Sequence, residues 1–306
     1  MRFFTKPSGL AILALLCMLA GTVPLARADF LFVISSGGTI EELNSTGTVI
    51  NSNFATVNDA ESLAFNANGN LFVGSSNGNI YEVSPSGSVS TFNNSGTFGS
   101  PVLAFNASGD LFVGNSNGTI EELNSSGGVI NSSFVTGLGG ISALAFNASG
   151  DLFVASGSNS NVYEVTGVNP PTTYASAPFG VGAGLAFNAS GDLFYATYEG
   201  NIYKVTSGNA SLFASLNSNT AAEDVLAINS SGDLFVTSGG GTSQHVYEVT
   251  GPNNFSQFAS VNGPAGLAFQ PAIASVPAPS SLTLLSLGLC GLAGYSWRRR
   301  RFVSVA

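Results

Sequence analysis

Two short apolar words alternate along the chain. "Leu-Ala-Phe" or a variant begins at Leu63, Leu103, Leu144, Leu185, Leu226 and Leu267, and "Leu-Phe-Val" or a variant begins at Leu31, Leu71, Leu111, Leu152, Leu193 and Leu234. The first word returns after 40 residues and then four times after 41. A period near 40 with several short strands per unit is the signature of a β-propeller blade. Each unit reads as four strands: the Leu-Ala-Phe word, the Leu-Phe-Val word, a third strand typified by "GTIEEL" or "NIYEV", and a weaker fourth typified by "VINSSF" or "TTYAS". Runs such as Leu111-Phe112-Val113 are apolar without strict alternation, as expected of sheets covered on both faces.

The link between the first two strands is itself repeated. "NASGDLFV" stands at Asn106–Val113 and again at Asn147–Val154, with near copies from Asn66, Asn188 and Asn229. Its Asn supplies an Asx-type turn and its Gly can take a positive φ, which is what a short hairpin loop requires. The motif is therefore expected to build the fold rather than to bind a ligand. Ala104, Ala145 and Ala186 keep the innermost strands slim near the axis, and Phe105, Phe146 and Phe187 are placed to fill the gaps between blades. A Glu recurs at one position of the third strand, as Glu42, Glu82, Glu122, Glu164 and Glu248, with Lys204 in the remaining unit. Repetition in every unit argues for structure or solubility rather than for a unique site.

The first Leu-Phe-Val word has no Leu-Ala-Phe word before it, and the last Leu-Ala-Phe word has no Leu-Phe-Val word after it. The two halves make one blade if Leu267–Phe269 pairs with the strand that begins at Leu31. The fold class expected is therefore all-β, a six-bladed propeller over residues 29–271, closed by pairing of N-terminal strands with a C-terminal strand. Closure of this kind removes the exposed sheet edges that invite aggregation.

The ends of the chain carry different patterns. Residues 1–28 combine Arg2 and Lys6, the apolar run Leu10–Ala20 and the small-x-small site Ala26-Arg27-Ala28, the layout of a signal peptide cleaved before Asp29. Residues 272–279 form a linker holding Val276-Pro277-Ala278-Pro279, residues 280–297 are apolar apart from serines, a threonine and a tyrosine, and residues 298–306 open on Arg298, Arg299, Arg300 and Arg301. Eighteen residues of helix reach roughly 27 Å, enough for a thin hydrocarbon layer. The arginines hold the extreme C-terminus on the cytoplasmic side and leave the propeller outside. This tail resembles the PEP-CTERM sorting signal of Gram-negative bacteria, in which a short Pro-x-Pro motif precedes one transmembrane segment and a terminal Arg cluster. The resemblance implies export across the inner membrane, recognition by an exosortase, and residence in the membrane, at the cell surface or, after cutting, outside the cell near exopolysaccharide or a surface protein. Ala278 stands where the signal usually has Glu.

Charge and cysteine content narrow the chemistry of the exported part. All seventeen acids lie between Asp29 and Glu248, against Lys204 as the one basic residue, which gives sixteen net negative charges. Nucleic acid and anionic membrane surfaces need clustered Lys and Arg and are excluded as partners. Cations and neutral glycans are better suited. Cys17 and Cys290 fall in the terminal apolar runs, so disulfide stapling, thiol catalysis and Cys-ligated zinc are excluded too.

In a propeller the loops from second to third strand, and from each blade to the next, share one face around the channel mouth. That face is expected to carry Asp59 and Glu61, Tyr198 and Glu199, Glu223 and Asp224, and the insertion Gly239–His245, where most equivalent loops are Gly, Ser and Asn. Glu61 and Asp224 share a register two residues before the Leu of the innermost strand, which aims both at the channel. His245 is expected in a solvent-exposed loop. The repeating units resemble NHL-type and gluconolactonase-like six-bladed propellers. That resemblance implies a divalent cation such as Ca2+, with Glu61 and Asp224 as oxygen ligands and a third ligand from an Asn where this chain has Ala183. The expectation that follows is an exported, non-catalytic binding module with no catalytic residue assigned; the alternative is a calcium-dependent lactonase-like hydrolase.

Overall fold

A computed structural model describes residues 29–271 apart from 95, 97, 167–170, 178–179, 217–224 and 239–244. The described strands form six four-stranded antiparallel sheets. The first blade holds β1 (Leu31–Ser35), β2 (Thr39–Leu43) and β3 (Val49–Thr56). The second holds β4 (Ala60–Phe65), β5 (Leu71–Ser75), β6 (Ile80–Val83) and β7 (Val89–Asn93), and the third β8 (Val102–Phe105), β9 (Leu111–Gly114), β10 (Ile120–Leu123) and β11 (Val129–Val135). Next come β12 (Ile141–Phe146), β13 (Leu152–Ser156), β14 (Asn161–Val165) and β15 (Thr172–Ser176), then β16 (Val181–Phe187), β17 (Leu193–Thr197), β18 (Asn201–Thr206) and β19 (Asn209–Ser215). The sixth blade is β20 (Leu226–Ile228), β21 (Leu234–Ser238), β22 (His245–Gly251) and β23 (Asn254–Ser260), after which β24 (Gly266–Phe269) returns to the first.

The ring closes as the repeat count requires. β24 pairs antiparallel with β1, with Leu31 opposite Phe269, Val33 opposite Leu267 and Ile34 opposite Gly266. Asp29 adds a polar clasp beside this seam: its carboxylate accepts hydrogen bonds from the Ser230 hydroxyl and, at 3.2 Å, from the Ser230 N–H.

The core is a ring of layers between blades, one cluster for each pair of neighbours. A second-strand Phe anchors each layer. Phe112 packs edge-to-face on Phe134 of its own blade at 4.9 Å and on Phe146 of the next at 5.1 Å. The same triplet recurs as Phe32 with Phe54 and Phe65, Phe72 with Phe92 and Phe105, Phe153 with Tyr174 and Phe187, and Phe235 with Phe258 and Phe269. At Phe194 the own-blade partner is Phe213, and the next blade supplies Ile228 in place of the second ring. Such pairs contribute ~0.5–1.5 kcal/mol each beyond area burial. Tyr195 stands where the other blades carry Val; it is fully buried and stacked on Tyr203 at 5.2 Å. Its hydroxyl has no hydrogen-bond partner among the described residues, and burial pushes the phenol well above its ordinary range.

The repeated hairpin motif is consumed by this scaffold. Asn106 accepts the Asp110 N–H on its side-chain oxygen at 2.8 Å and donates its amide to the Asp110 carboxylate at 3.2 Å, while the Gly109 N–H returns to the Asn106 carbonyl. Asn147 with Asp151, Asn188 with Asp192 and Asn229 with Asp233 repeat the arrangement. The third-strand Glu position is likewise uniform, each member lying opposite the buried second-strand Phe, as Glu42 opposite Phe32 and Glu122 opposite Phe112. In the fifth blade Lys204 forms an ion pair with Asp192 at 2.8 Å, and its hydrogen bond holds that carboxyl below the usual range.

Candidate functional site at the channel mouth

The face opposite those hairpins is where the repeat breaks. Counting two residues back from the Leu of each innermost strand gives Glu61, Pro101, Ser142, Ala183, Asp224 and Ala265. β-Bulges turn two of these positions out of the ladder. Ala60 pairs with Ser75 and Ser62 with Gly74, which leaves Glu61 without a rung between them. Ile141 pairs with Ser156 and Ala143 with Ala155, and Ser142 sits in the same irregularity. In the fifth blade the ladder jumps from Val181 to Leu185. An extra residue in one strand bends it and re-aims the side chain, here at the start of the strand that lines the axis.

Glu61 is half-buried and lines two adjoining cavities. The smaller, of about 100 Å3, is walled by one Leu from each blade: Leu63, Leu103, Leu144, Leu185, Leu226 and Leu267. These leucines are the axial lining; the neighbouring alanines Ala64, Ala104, Ala186 and Ala268 pack into the layers between blades instead. The larger cavity, of about 190 Å3, lies between Glu61, Pro101, Ser142, Ala183 and Tyr198. The mouth thus joins a cavity edged by Glu61 and Tyr198 to one ringed by leucines.

Tyr198 lies at this mouth where two glycines leave room for it. A Cβ on Gly180 would come within 3.3 Å of the ring's Cδ2, and one on Gly157 would come within 3.0 Å of the hydroxyl. Gly180 also has φ +77°, a backbone state that favours glycine. The corresponding loop residue is Ser36, Ser76, Ser116 or Gly157 in the first four blades and Gly239 by sequence in the sixth. Tyr198 is 40 % exposed, and it is the aromatic exception in that column.

The remaining candidates are more scattered. Asp59 is exposed and holds φ 55° in the loop before β4, beside a separate cavity of about 500 Å3 lined by Ser36, Gly37, Gly38 and Gly263. Glu199 is exposed. Asp224, Glu223 and Gly239–Gln244 lie outside the described residues, as do Val276, Pro277, Pro279, Arg298, Arg299, Arg300, Arg301 and the spans assigned to a signal peptide and a transmembrane helix. Among the described residues no helix is long and apolar enough to cross a membrane. His245 corrects the loop expectation: it opens β22, pairs between Ser238 and Ser260, and places Nδ1 3.3 Å from the Ser260 hydroxyl. Strand pairing thus reaches His245 itself.

Of the two carboxylates expected to ligate calcium, Glu61 lies among the described residues and Asp224 outside them. Ca2+ takes six to eight oxygens. Among the described residues of the ring, Glu61 brings a side-chain carboxylate and Ser142 a hydroxyl, while Pro101, Ala183 and Ala265 bring no side-chain oxygen. No group of three or more His, Cys, Asp or Glu comes together anywhere in the described part. Ser142 and Pro101, which sequence reasoning did not single out, stand in the same column as Glu61 and could have been found by reading that column through all six blades.

Residues 275–301 match the PEP-CTERM protein-sorting motif, which marks a chain for recognition by an exosortase and for the Gram-negative cell envelope or surface. Among curated proteins none matches the chain. The fold is similar to that of a streptogramin B lyase, with TM-score 0.60 and 15 % identity over 80 % of this chain and 88 % of that one. A virginiamycin B lyase from Staphylococcus aureus aligns with TM-score 0.57 and 14 % identity, over 82 % of this chain and 94 % of that one. A structural-genomics target assigned to the gluconolactonases aligns with TM-score 0.54 and 15 % identity, over 78 % and 87 %. At such identities the likeness is one of fold.

Proposed function

We propose that this chain is exported and presented at the cell surface or in the extracellular matrix as a non-catalytic binding module, with the propeller as the binding part and the C-terminal segment as its sorting device. The observation that carries the reading is the PEP-CTERM match at 275–301 on a chain whose six-bladed body has, apart from Lys204, only acidic charged side chains. A sorting segment of this kind delivers the body it is attached to, and the body's uniform hairpins leave the channel mouth as its individual surface. The exosortase is the processing partner.

Two measurements test the reading. Removal of Arg298–Arg301 is expected to shift the protein from the membrane fraction to the medium, and an unchanged membrane fraction counts against the sorting role. Titration of calcium into residues 29–271, whose core clusters are all internal to that span, is expected to give no binding heat, and a screen of sugar lactones no turnover. Calcium binding lost in both Glu61→Ala and Asp224→Ala, together with lactone hydrolysis, would overturn the reading in favour of a calcium-dependent lactonase-like hydrolase.

A further inference from the structure

Resting on the binding-module reading, we infer that the bowl formed by Glu61, Ser142 and Tyr198 beside the leucine ring is a site for a small organic cation, an ammonium group carried on a compact apolar body. Three observations converge on it. The residues that break the six-fold repeat at the mouth, a carboxylate in one blade and an aromatic ring three blades further on, line one cavity of about 190 Å3. The aromatic ring lies where Gly157 and Gly180 leave room for it, since a Cβ on either would crowd its hydroxyl or its edge. Glu61 also borders the adjoining cavity ringed by six leucines, so a carboxylate and aliphatic side chains are offered to the same ligand.

The chemistry selects among ligand classes. A carboxylate in a domain with sixteen net negative charges repels anions and raises the local concentration of cations. A bare divalent metal is held by six to eight oxygens, whereas the described lining of this bowl offers one carboxylate beside an aromatic ring. An alkylammonium ion needs none: its charge is met by the Glu61 carboxylate and by the negative face of the Tyr198 ring, and its methyl or methylene groups rest on Val102 and the leucines. A neutral ligand would use the leucines and the ring but would gain nothing from Glu61.

The test compares choline with its uncharged carbon isostere, 3,3-dimethylbutan-1-ol, by calorimetry and saturation-transfer NMR on residues 29–271. Choline is expected to bind at least about tenfold more tightly than the isostere, the advantage of one ion contact plus one cation–π contact. Glu61→Gln should remove most of that advantage, Tyr198→Leu should weaken choline about three- to tenfold, and Tyr198→Phe should retain binding because the π-face is kept. Glu248→Gln, on the opposite face, removes the same formal charge and should leave binding unchanged. Equal binding of the two probes, or an equal loss in Glu248→Gln, would overturn the proposal, the first as a merely apolar pocket and the second as a diffuse acidic field. So would binding of a neutral methyl hexoside, but not choline, through Glu61 and Tyr198. The module reading is tested separately by the sorting and calcium measurements, so either can fail alone.

Discussion

The aromatic triplets between blades allow one packing term to be isolated with an internal control. Phe112 and Phe194 occupy equivalent positions in β9 and β17 and are buried alike, at 4 % and 6 % exposure. Phe112 has two edge-to-face partners, Phe134 and Phe146, whereas Phe194 has Phe213 and meets Ile228 where the second ring would be. Changing each to Leu removes a similar apolar area from a similar environment, so the transfer and cavity contributions nearly cancel between the two variants. What remains is one edge-to-face pair, ~0.5–1.5 kcal/mol. Phe112→Leu should therefore be more destabilising than Phe194→Leu by about 1 kcal/mol, or about 3 °C in Tm for a domain of this size. Calorimetric and far-UV circular-dichroism melting of residues 29–271 reads the difference. Ile228→Phe provides the reciprocal arm and should enlarge the penalty of Phe194→Leu towards that of Phe112→Leu. Equal losses in the two Leu variants, or a larger loss at Phe194, would refute the claim that ring geometry adds to burial here.

Three further changes follow from particular residues. Tyr195→Phe should raise stability by about 1 kcal/mol in urea unfolding, because it removes a buried hydroxyl without a partner among the described residues. An acid whose folded pKa is raised stabilises the fold fully below its unfolded pKa and loses that contribution as pH rises through the folded value; the loss of stability above about pH 10 should therefore be smaller in Tyr195→Phe than in the parent. Gly118→Ala should be far worse than Gly109→Ala in thermal melting: both have positive φ, at +83° and +89°, but a Cβ at 118 would fall on the Leu138 carbonyl oxygen while one at 109 meets nothing within 4 Å. The second substitution should cost only the backbone term, about 1–2 kcal/mol. Lys204→Met should cost at most about 1 kcal/mol at pH 7, since the pair with Asp192 is partly solvated. The depressed Asp192 carboxyl stabilises the fold above its unfolded pKa and loses that contribution as pH falls through its folded value, so the two proteins should converge in urea titrations once pH falls below the ordinary Asp range.

Much of the scaffold was legible because its signals are local. The turn chemistry of "NASGD", the paired apolar words and their spacing of 40 or 41 residues recur within each unit and need no knowledge of distant contacts. The orphan words at Leu31 and Leu267 even specified the closing pair, since a blade lacking its first strand and a first strand lacking its blade have one mutual solution in a ring. The place of Glu61 at the start of an innermost strand was legible as well, through its register in the repeat.

Other features depended on the tertiary structure. That Glu61 and Tyr198 border one cavity follows from the curvature of the ring and from bulges that displace Glu61 and Ser142 by one residue out of the ladder. A one-residue shift reverses which way a strand side chain points, and nothing in the local pattern announces it. The leucine lining of the axis has the same origin: Leu63 and Ala64 are adjacent in sequence, and only the packing of neighbouring blades decides which faces the channel. The sequence by itself determined the blades, their number and the closure, because strand period and turn chemistry are properties of short segments. The tertiary structure decided which exceptions to the repeat meet, because that depends on how six segments are set around an axis.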